Sequence, residues 1–239
     1  MRRLEQLTLA LVFLTRLPLA RFLPPRLMSL AHSSWAFPLA GALIGAISAL
    51  PLMLGVTGFL GAVLCVTIAV WLTAALHEDA LADFADAAGG QDRDARLTIM
   101  RDSRIGSFGV MALMLTTVLR IAAVTSLSPL HLIAAAAGGR AAIVLTMGAL
   151  VPARADGLAA AAGAPGWKNV GAAAILGAGV ILIAGEGAGL ALIAGLAATA
   201  LVIRQARIWL GGQTGDVLGA ASVLAETAIL TAFALILQG

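Results

Sequence analysis

The sequence contains few charged residues for its length. Of its 239 residues, 11% are charged and 61% are hydrophobic, whereas a soluble domain is about 25% charged and about 45–50% apolar. The polar side chains are too few to cover a water-soluble globule of this size. The composition therefore excludes an ordinary soluble protein and predicts an all-α, polytopic integral membrane protein.

Cysteine and polar linkers are also scarce. The single cysteine, Cys65, lies in an apolar run and excludes an intramolecular disulfide. No stretch is polar enough to separate domains, and no internal repeat is evident, so residues 1–239 are predicted to form one domain. The small net charge of +3 lies in short loops, which indicates membrane topology rather than nucleic-acid binding.

Apolar runs make up most of the chain. A membrane-spanning helix needs about 20 such residues, and seven candidate spans lie at 34–54, 57–76, 108–127, 130–151, 169–185, 188–204 and 217–237. Residues 4–15 are apolar but too short to span, so we expect an interfacial or re-entrant helix there. A proline-rich, non-helical connector is expected over 16–33.

The basic residues define an orientation for these spans. Thirteen of the 15 fall in the N-terminal segment and in the loops 77–107, 152–168 and 204–216. By the positive-inside rule, these segments are predicted to face the cytoplasm.

Charge is concentrated in one segment, residues 77–109, which holds seven of the 12 acidic residues. Asp79, Asp83 and Asp86 are spaced i, i+4, i+7, so a helix would project them from one face. Carboxylates that close repel one another, and a hard divalent cation such as Mg²⁺ would compensate them. The alternative is a solvated acidic turn. His77, just before them, could ligate the metal or transfer protons, or form a structural hydrogen bond.

A basic segment, MRDSRIGSFG (100–109), follows the carboxylates. Arg101 and Arg104 flank Asp102 and Ser103, and arginine binds phosphate in a planar, bidentate way. The glycines permit close backbone approach, and the following helix could offer its N-terminus to an anion. The alternative is that both arginines only anchor the next span.

The segment WLGGQTGDVLGA (209–220) precedes the last span. Its glycine-rich context predicts that Thr214 and Asp216 have a function, with Asp216 completing the metal site from a distant part of the chain. The alternative is that Asp216 caps a helix.

Three charged side chains lie within predicted spans. Glu226 is an intramembrane carboxylate, which usually faces the bundle interior and a partner, such as Arg120 or Arg140. Arg140 and Arg154, which opens the 152–168 loop, could reach a polyphosphate substrate. They could equally be anchors whose charged ends reach the membrane surface.

Together these motifs resemble the cobalamin synthase family, the adenosylcobinamide-GDP ribazoletransferases. They read FLTRLPL (13–19), HEDALADFADA (77–87), IMRDSRIGSFG (99–109) and GGQTGDVLGA (211–220), followed by Glu226. The resemblance runs from near residue 11 to near residue 226, with the motifs in the family's order. Ala80 and Ala87 stand where the family usually has glycine.

The resemblance implies a Mg²⁺-dependent reaction in which α-ribazole, or its 5′-phosphate, displaces GMP from adenosylcobinamide-GDP at the cytoplasmic face of the bacterial inner membrane. It implies that one or two Mg²⁺ are held by Asp79, Asp83, Asp86 and Asp216. Arg101 and Arg104 would neutralise the diphosphate, and His77 is the candidate base. The expected substrate contacts are Asp102, Ser103, Arg140, Arg154, Thr214 and Glu226. The implied partners are these small molecules and the lipid bilayer, and a homo-oligomer is left open.

Two other functions fit parts of the pattern. A CDP-alcohol phosphatidyltransferase also uses spaced aspartates on helices at the cytoplasmic face, but its Asp-Gly-x-x-Ala-Arg signature is absent from residues 79–83. A cation transporter is the alternative from a different class. Transporters place ion sites near the membrane midplane, whereas the acidic cluster is expected in a loop between spans.

Overall fold

A computed structural model describes residues 3–25 and 29–237, so Arg26 of the predicted connector lies outside the described residues. Within these ranges the chain forms α-helices, short 3-10 turns and no β-strand, which confirms the all-α prediction. The helices are α1 (Arg3–Leu14), α2 (Leu30–Ser33), α3 (Phe37–Ser48), α4 (Leu50–Met53), α5 (Gly58–Leu72), α6 (Leu76–Asp86), α7 (Arg93–Ile99), α8 (Ser107–Val124), α9 (Pro129–Ala149), α10 (Leu158–Ala162), α11 (Trp167–Ile183), α12 (Ala188–Leu210) and α13 (Gly215–Leu237).

The helices include the membrane spans. In the described part of the chain, five segments are long and apolar enough to cross a bilayer: Leu30–Ser48, Ser107–Val124, Pro129–Ala149, Ala188–Leu210 and Gly215–Leu237. Helices α5 and α6 form a sixth if the pair counts as one span despite its 87° bend. Helix α11 is apolar but has only 17 residues. Each of the seven predicted runs therefore overlaps an apolar helix, and the protein is a multi-pass membrane protein.

Large apolar side chains cover the outside of the bundle. Val118 of α8 is 62% exposed, Leu201 of α12 is 65% exposed and Ile175 of α11 is 75% exposed. Extensive exposed apolar surface marks a face that another apolar phase covers, and lipid chains cover it in a bilayer.

Helices α9 and α13 form the centre of the bundle. Most of their residues are buried, and α13 packs against α6, α8, α9 and α12. On the other side of α9, α3 approaches so closely that a Cβ on Gly41 would lie 2.3 Å from the carbonyl oxygen of Ala136. Small residues allow such contacts between membrane helices. The predicted N-terminal helix is present as α1, which packs against α3; its position in the bilayer stays a prediction.

The predicted extent of the second span, 57–76, is wrong because the chain bends before the acidic cluster. Ala74 and Ala75 have φ angles of 53° and 56°, a left-handed conformation that residues other than glycine rarely adopt. The Ala75 amide donates to the carbonyl of Val70 (2.9 Å) and the Ala74 amide to that of Trp71 (3.1 Å), which is the Schellman pattern that ends a helix. The acidic cluster therefore lies on a helix that turns away from α5, which confirms the helix that the i, i+4, i+7 spacing of the aspartates predicts.

Candidate active site

Helix α6 carries the three spaced aspartates in different environments. Asp79 is exposed, Asp83 is partly buried and Asp86 is buried. The Asp86 carboxylate accepts hydrogen bonds from the backbone amides of Gly106 (2.7 Å) and Gly109 (2.8 Å). The N-terminus of α8, where the sequence suggests that a substrate anion could bind, is thus occupied by the carboxylate of Asp86. Asp79 and Asp83 make no such contact in the described structure, and a metal-binding role for Asp86 stays a prediction.

The start of α13 supplies a fourth carboxylate. The Thr214 hydroxyl accepts a hydrogen bond from the amide of Val217 (3.3 Å) and donates to Oδ2 of Asp216 (3.1 Å). Thr214, rather than Asp216, therefore makes the capping contact at the start of α13. Thr214 is buried, and its predicted contact with substrate stays a prediction.

A backbone pairing joins the loop after α9 to the segment before α13. The Ala153 amide donates to the carbonyl of Gln213, and the Gln213 amide donates to that of Val151, each at 2.8 Å. Arg154 follows directly and lies close enough to Asp216 for their charges to attract. Two loops that are far apart in sequence therefore bring a cation to the carboxylate of α13.

These residues meet at a cavity. Its polar lining consists of His77, Asp79, Arg154 and Asp216, and its apolar wall includes Phe13, Leu14, Phe37, Ile143 and Met147 from α1, α3 and α9. Asp83 does not line the cavity, but it lies within electrostatic range of Asp79, Asp216 and Asp86. Carboxylates from α6 and α13 thus concentrate negative charge at one site.

The carboxylates suit a metal that shares its coordination with a ligand. Among the described residues, no group of three or more Asp, Glu, His or Cys side chains is arranged to hold a metal ion. Mg²⁺ does not require one, because one or two carboxylates commonly bind it together with water and substrate phosphates. Asp79 and Asp216, which line the same cavity, form a donor set of that kind.

His77 lines the cavity from α6. Its side chain is only 3% exposed, and neither ring nitrogen has a hydrogen-bond partner among the described residues. Buried polar atoms are nearly always paired, so an imidazole with both nitrogens free is available to a ligand.

The arginine segment does not line the cavity. Arg101 donates to both carboxylate oxygens of Asp156 (2.8 and 3.1 Å), and Arg104 donates to Asp102 (2.6 Å). The hydrogen bonds from Arg104 lower the pKa of Asp102 to about 2. Both arginine side chains are mostly exposed, as is Ser103. The structure does not bring these residues to the cavity lining, and their catalytic and substrate-binding roles stay predictions.

A buried ion-pair network lies behind the cavity. Glu226 pairs with Arg140 and lies 3.8 Å from Arg120, which is 2.9 Å from Glu78. The prediction that Arg120 or Arg140 pairs with Glu226 is confirmed for both. The network joins α6, α8, α9 and α13. Arg140 and Glu226 belong to this network and do not line the cavity. Their contact with substrate stays a prediction.

Comparison with known proteins identifies the family. A family model described as cobalamin-5-phosphate synthase matches residues 6–234. The chain belongs to the cobalamin-5-phosphate synthase family. It is 44% identical to the adenosylcobinamide-GDP ribazoletransferase of Azorhizobium caulinodans, over 96% of this chain and 95% of that protein. It is 41% identical to the one of Bradyrhizobium diazoefficiens, over 95% of this chain and 92% of that protein. No solved structure matches.

Family membership does not favour the phosphatidyltransferase or the transporter.

Two alanines replace glycines of the cobalamin synthase motif. Ala80 faces Gly219 of α13, where an added Cβ would lie 2.3 Å from the Cβ of Ala80. Ala87 is fully buried in an apolar cluster. At the crossing of α6 and α13, the methyl group that Ala80 adds is therefore accommodated by a glycine on the facing helix.

The ion pair between Glu78 and Arg120 is not predicted from the sequence. The sequence indicates Arg120 only as a partner for Glu226, and it gives Glu78 no role beyond the acidic segment. A signal was present, because an arginine within a span needs a carboxylate at a similar depth.

Proposed function

We propose that this protein joins α-ribazole, or its 5′-phosphate, to adenosylcobinamide-GDP with release of GMP. The observation that carries the proposal is the cavity in which Asp79 and Asp216 meet Arg154. Phosphoryl transfer depends mainly on positioning and on neutralising charge, and this cavity combines metal-ligand chemistry with a phosphate-binding cation. The activity named for the relatives supports the same reaction.

The reaction assigns simple roles to these residues. An alcohol oxygen of ribazole forms a bond to the phosphorus attached to cobinamide, and the bond from that phosphorus to the GMP oxygen breaks. GMP leaves with the electron pair, and the alcohol proton passes to a base. His77 is the proposed base because it lines the cavity and neither of its ring nitrogens has a hydrogen-bond partner among the described residues. Arg154 is proposed to bind the diphosphate oxygens.

Mg²⁺ is the proposed cofactor. Asp79 and Asp216 are the proposed ligands from the cavity lining, with Asp83 as a further carboxylate of the set. Asp86, whose two oxygens accept the amides of Gly106 and Gly109, is proposed to orient α8 instead. When bound, the ion neutralises the charge that develops on the phosphate oxygens. The chemistry of the donor set supports this, because Asp83 experiences repulsion from Asp79 and Asp216.

An assay with purified protein tests the proposal. With adenosylcobinamide-GDP, α-ribazole 5′-phosphate and Mg²⁺, we expect one GMP for each cobalamin 5′-phosphate formed, and none after chelation of the metal. Asp83→Asn should abolish turnover. Asp92→Asn is the matched control, because Asp92 caps α7 through the amide of Ala95 (2.8 Å) and asparagine caps equally well. Absence of GMP release from both the wild type and Ala80→Gly would contradict the proposal.

The proposed orientation places the cavity at the cytoplasmic face of the inner membrane. The distribution of basic residues supports it. Cys65 is buried, so single cysteines can be introduced at exposed loop positions, Ser103→Cys and Glu186→Cys. A membrane-impermeant thiol reagent should label Ser103→Cys from the cytoplasmic face and Glu186→Cys from the opposite face. Labelling of both from one face would contradict the orientation.

A further inference from the structure

Arg16 differs from the arginines that sequence reasoning placed at the diphosphate. Arg101 and Arg104 are each paired with a carboxylate. In the described part of the chain, no carboxylate pairs with Arg16; its guanidinium carbon lies 5.0 Å from the centre of the Trp71 ring. A cation–π contact uses the face of the guanidinium and leaves its N–H edges free to bind an anion.

Arg16 opens onto a second cavity that adjoins the first. This cavity is lined by Phe13, Thr15, Arg16, Thr73, Leu76 and Asp79, together with the two alanines of the bend. Phe13, Leu76 and Asp79 also line the first cavity. The two cavities therefore meet at Asp79, with Arg154 in the first and Arg16 in the second.

The position of Arg16 is set by contacts with the end of α5. Its backbone amide donates to the carbonyl of Leu72 at 2.9 Å, and its side chain lies over Trp71 in the same turn. The bend that follows this turn also directs α6 and Asp79. Arg16 is thus held in a defined place relative to the carboxylates, which is the requirement for a preorganised binding residue.

We infer that Arg16 binds a phosphate group of the substrates in the second cavity, so that Asp79 lies between two phosphate-binding arginines. The inference rests on the proposed function, whose substrates carry a diphosphate and, in one acceptor, a further phosphate. A planar guanidinium with free N–H groups matches phosphate oxygens. The phosphate belongs either to the diphosphate of the donor or to the 5′-phosphate of the acceptor.

Steady-state kinetics of Arg16→Gln test the inference, with Arg21→Gln as the matched control. Arg21 lies on the same segment and is also exposed, and it contacts an aromatic ring, Phe22, at 4.9 Å. It lines neither cavity. Loss of a charged hydrogen bond should raise one substrate KM by about 10- to 100-fold in Arg16→Gln, and by less than about threefold in Arg21→Gln, where only an exposed charge is lost.

Two acceptors distinguish the source of the phosphate. If Arg16 binds the donor, the KM of adenosylcobinamide-GDP rises with α-ribazole and with its 5′-phosphate alike. If Arg16 binds the acceptor, the KM of α-ribazole 5′-phosphate rises and that of unphosphorylated α-ribazole does not. Either result supports the inference. KM values equal to those of Arg21→Gln, or a fall in kcat alone, would overturn it.

Arg16→Lys separates binding from packing against Trp71. Lysine keeps the charge but not the planar donor pair, so it should recover part of the lost affinity. If Arg16→Lys recovers no affinity and unfolds at a temperature as low as that of Trp71→Leu, Arg16 has a packing role and the inference is overturned. A wild type that releases no GMP would contradict the proposed function, whereas an active wild type with unaffected Arg16→Gln would contradict only this inference.

Discussion

Asp86 at the end of α6 accepts a 2.8 Å hydrogen bond from the amide of Gly109 in the first turn of α8. Its second carboxylate oxygen accepts the amide of Gly106 at 2.7 Å. Asp86 belongs to the carboxylate motif and the two glycines belong to the arginine motif. The two motifs are therefore parts of one structural unit, in which the last carboxylate of α6 orients the helix that follows.

Asp86→Ala should lower stability more than it lowers catalysis. Two amides would lose a charged acceptor, and hydrogen bonds to charged groups contribute about 1.5–3 kcal/mol each. We expect a loss of about 3 kcal/mol in the free energy of unfolding, measured by denaturation in detergent, with residual Mg²⁺-dependent turnover in the folded fraction. Unchanged stability with complete loss of turnover would instead support Asp86 as a metal ligand.

Gly219→Ala should separate α6 from α13. The new Cβ would lie 2.3 Å from that of Ala80, and overpacking of this kind costs about 1–3 kcal/mol. It should also reduce GMP release, because Asp216 and Asp79 lie on the two helices being separated. The double variant Ala80→Gly/Gly219→Ala should recover both properties, since its remaining contacts with His77 are ordinary van der Waals contacts. If the effects of the two substitutions on the free energy of unfolding simply add in the double variant, the assigned contact between Ala80 and Gly219 is contradicted.

Arg154 and Arg101 provide a direct comparison between cavity and surface. Arg154→Gln should lower kcat/KM by about 10- to 100-fold, because it removes a charged hydrogen bond to the diphosphate. Arg101→Gln should change it by less than about fivefold, because an exposed ion pair contributes only about 0–1 kcal/mol. The reverse order would restore the catalytic role that the sequence predicted for Arg101.

Arg120→Met should be among the most destabilising single substitutions. It would leave Glu78 without its ion-pair partner and Arg140 alone with Glu226. Removing one member of a buried ion pair costs about 3–5 kcal/mol because the remaining charge is uncompensated. Thermal unfolding in detergent measures the effect. Arg120→Met combined with Glu78→Gln should be more stable than Arg120→Met alone, and failure of this rescue would contradict the pairing.

Periodicity and charge predicted much of this structure. The apolar runs correspond to helices because hydrophobic length alone determines a span. The arginine partners of Glu226 could be predicted although Arg140 is 86 residues away, because a carboxylate within a span needs a cation and few lie at that depth. The destination of Asp86 could not be predicted, because spacing places it with Asp79 on one helix face and says nothing of the amides that α8 presents. Likewise, Arg101 pairs with Asp156, which is 55 residues away.

The bend before α6 was missed because its usual sequence signal is absent. The left-handed residue that ends a helix in a Schellman motif is usually glycine, and here it is Ala74. No glycine or proline lies between Val70 and His77, so the pattern predicted a continuous helix. The backbone at Ala74 is therefore held in a conformation that its own side chain disfavours.

Ala74→Gly should consequently stabilise the protein, although glycine normally weakens helical proteins. At a φ of 53°, replacing alanine removes a steric cost of about 1–2 kcal/mol, which exceeds the entropic cost of glycine, about 0.5–1 kcal/mol. Ala85→Gly, in the last turn of α6, should lower the free energy of unfolding by up to about 1 kcal/mol. Denaturation in detergent measures both variants. A higher free energy of unfolding in Ala74→Gly together with a lower one in Ala85→Gly would confirm the bend. A lower value in both would show that Ala74 continues the helix.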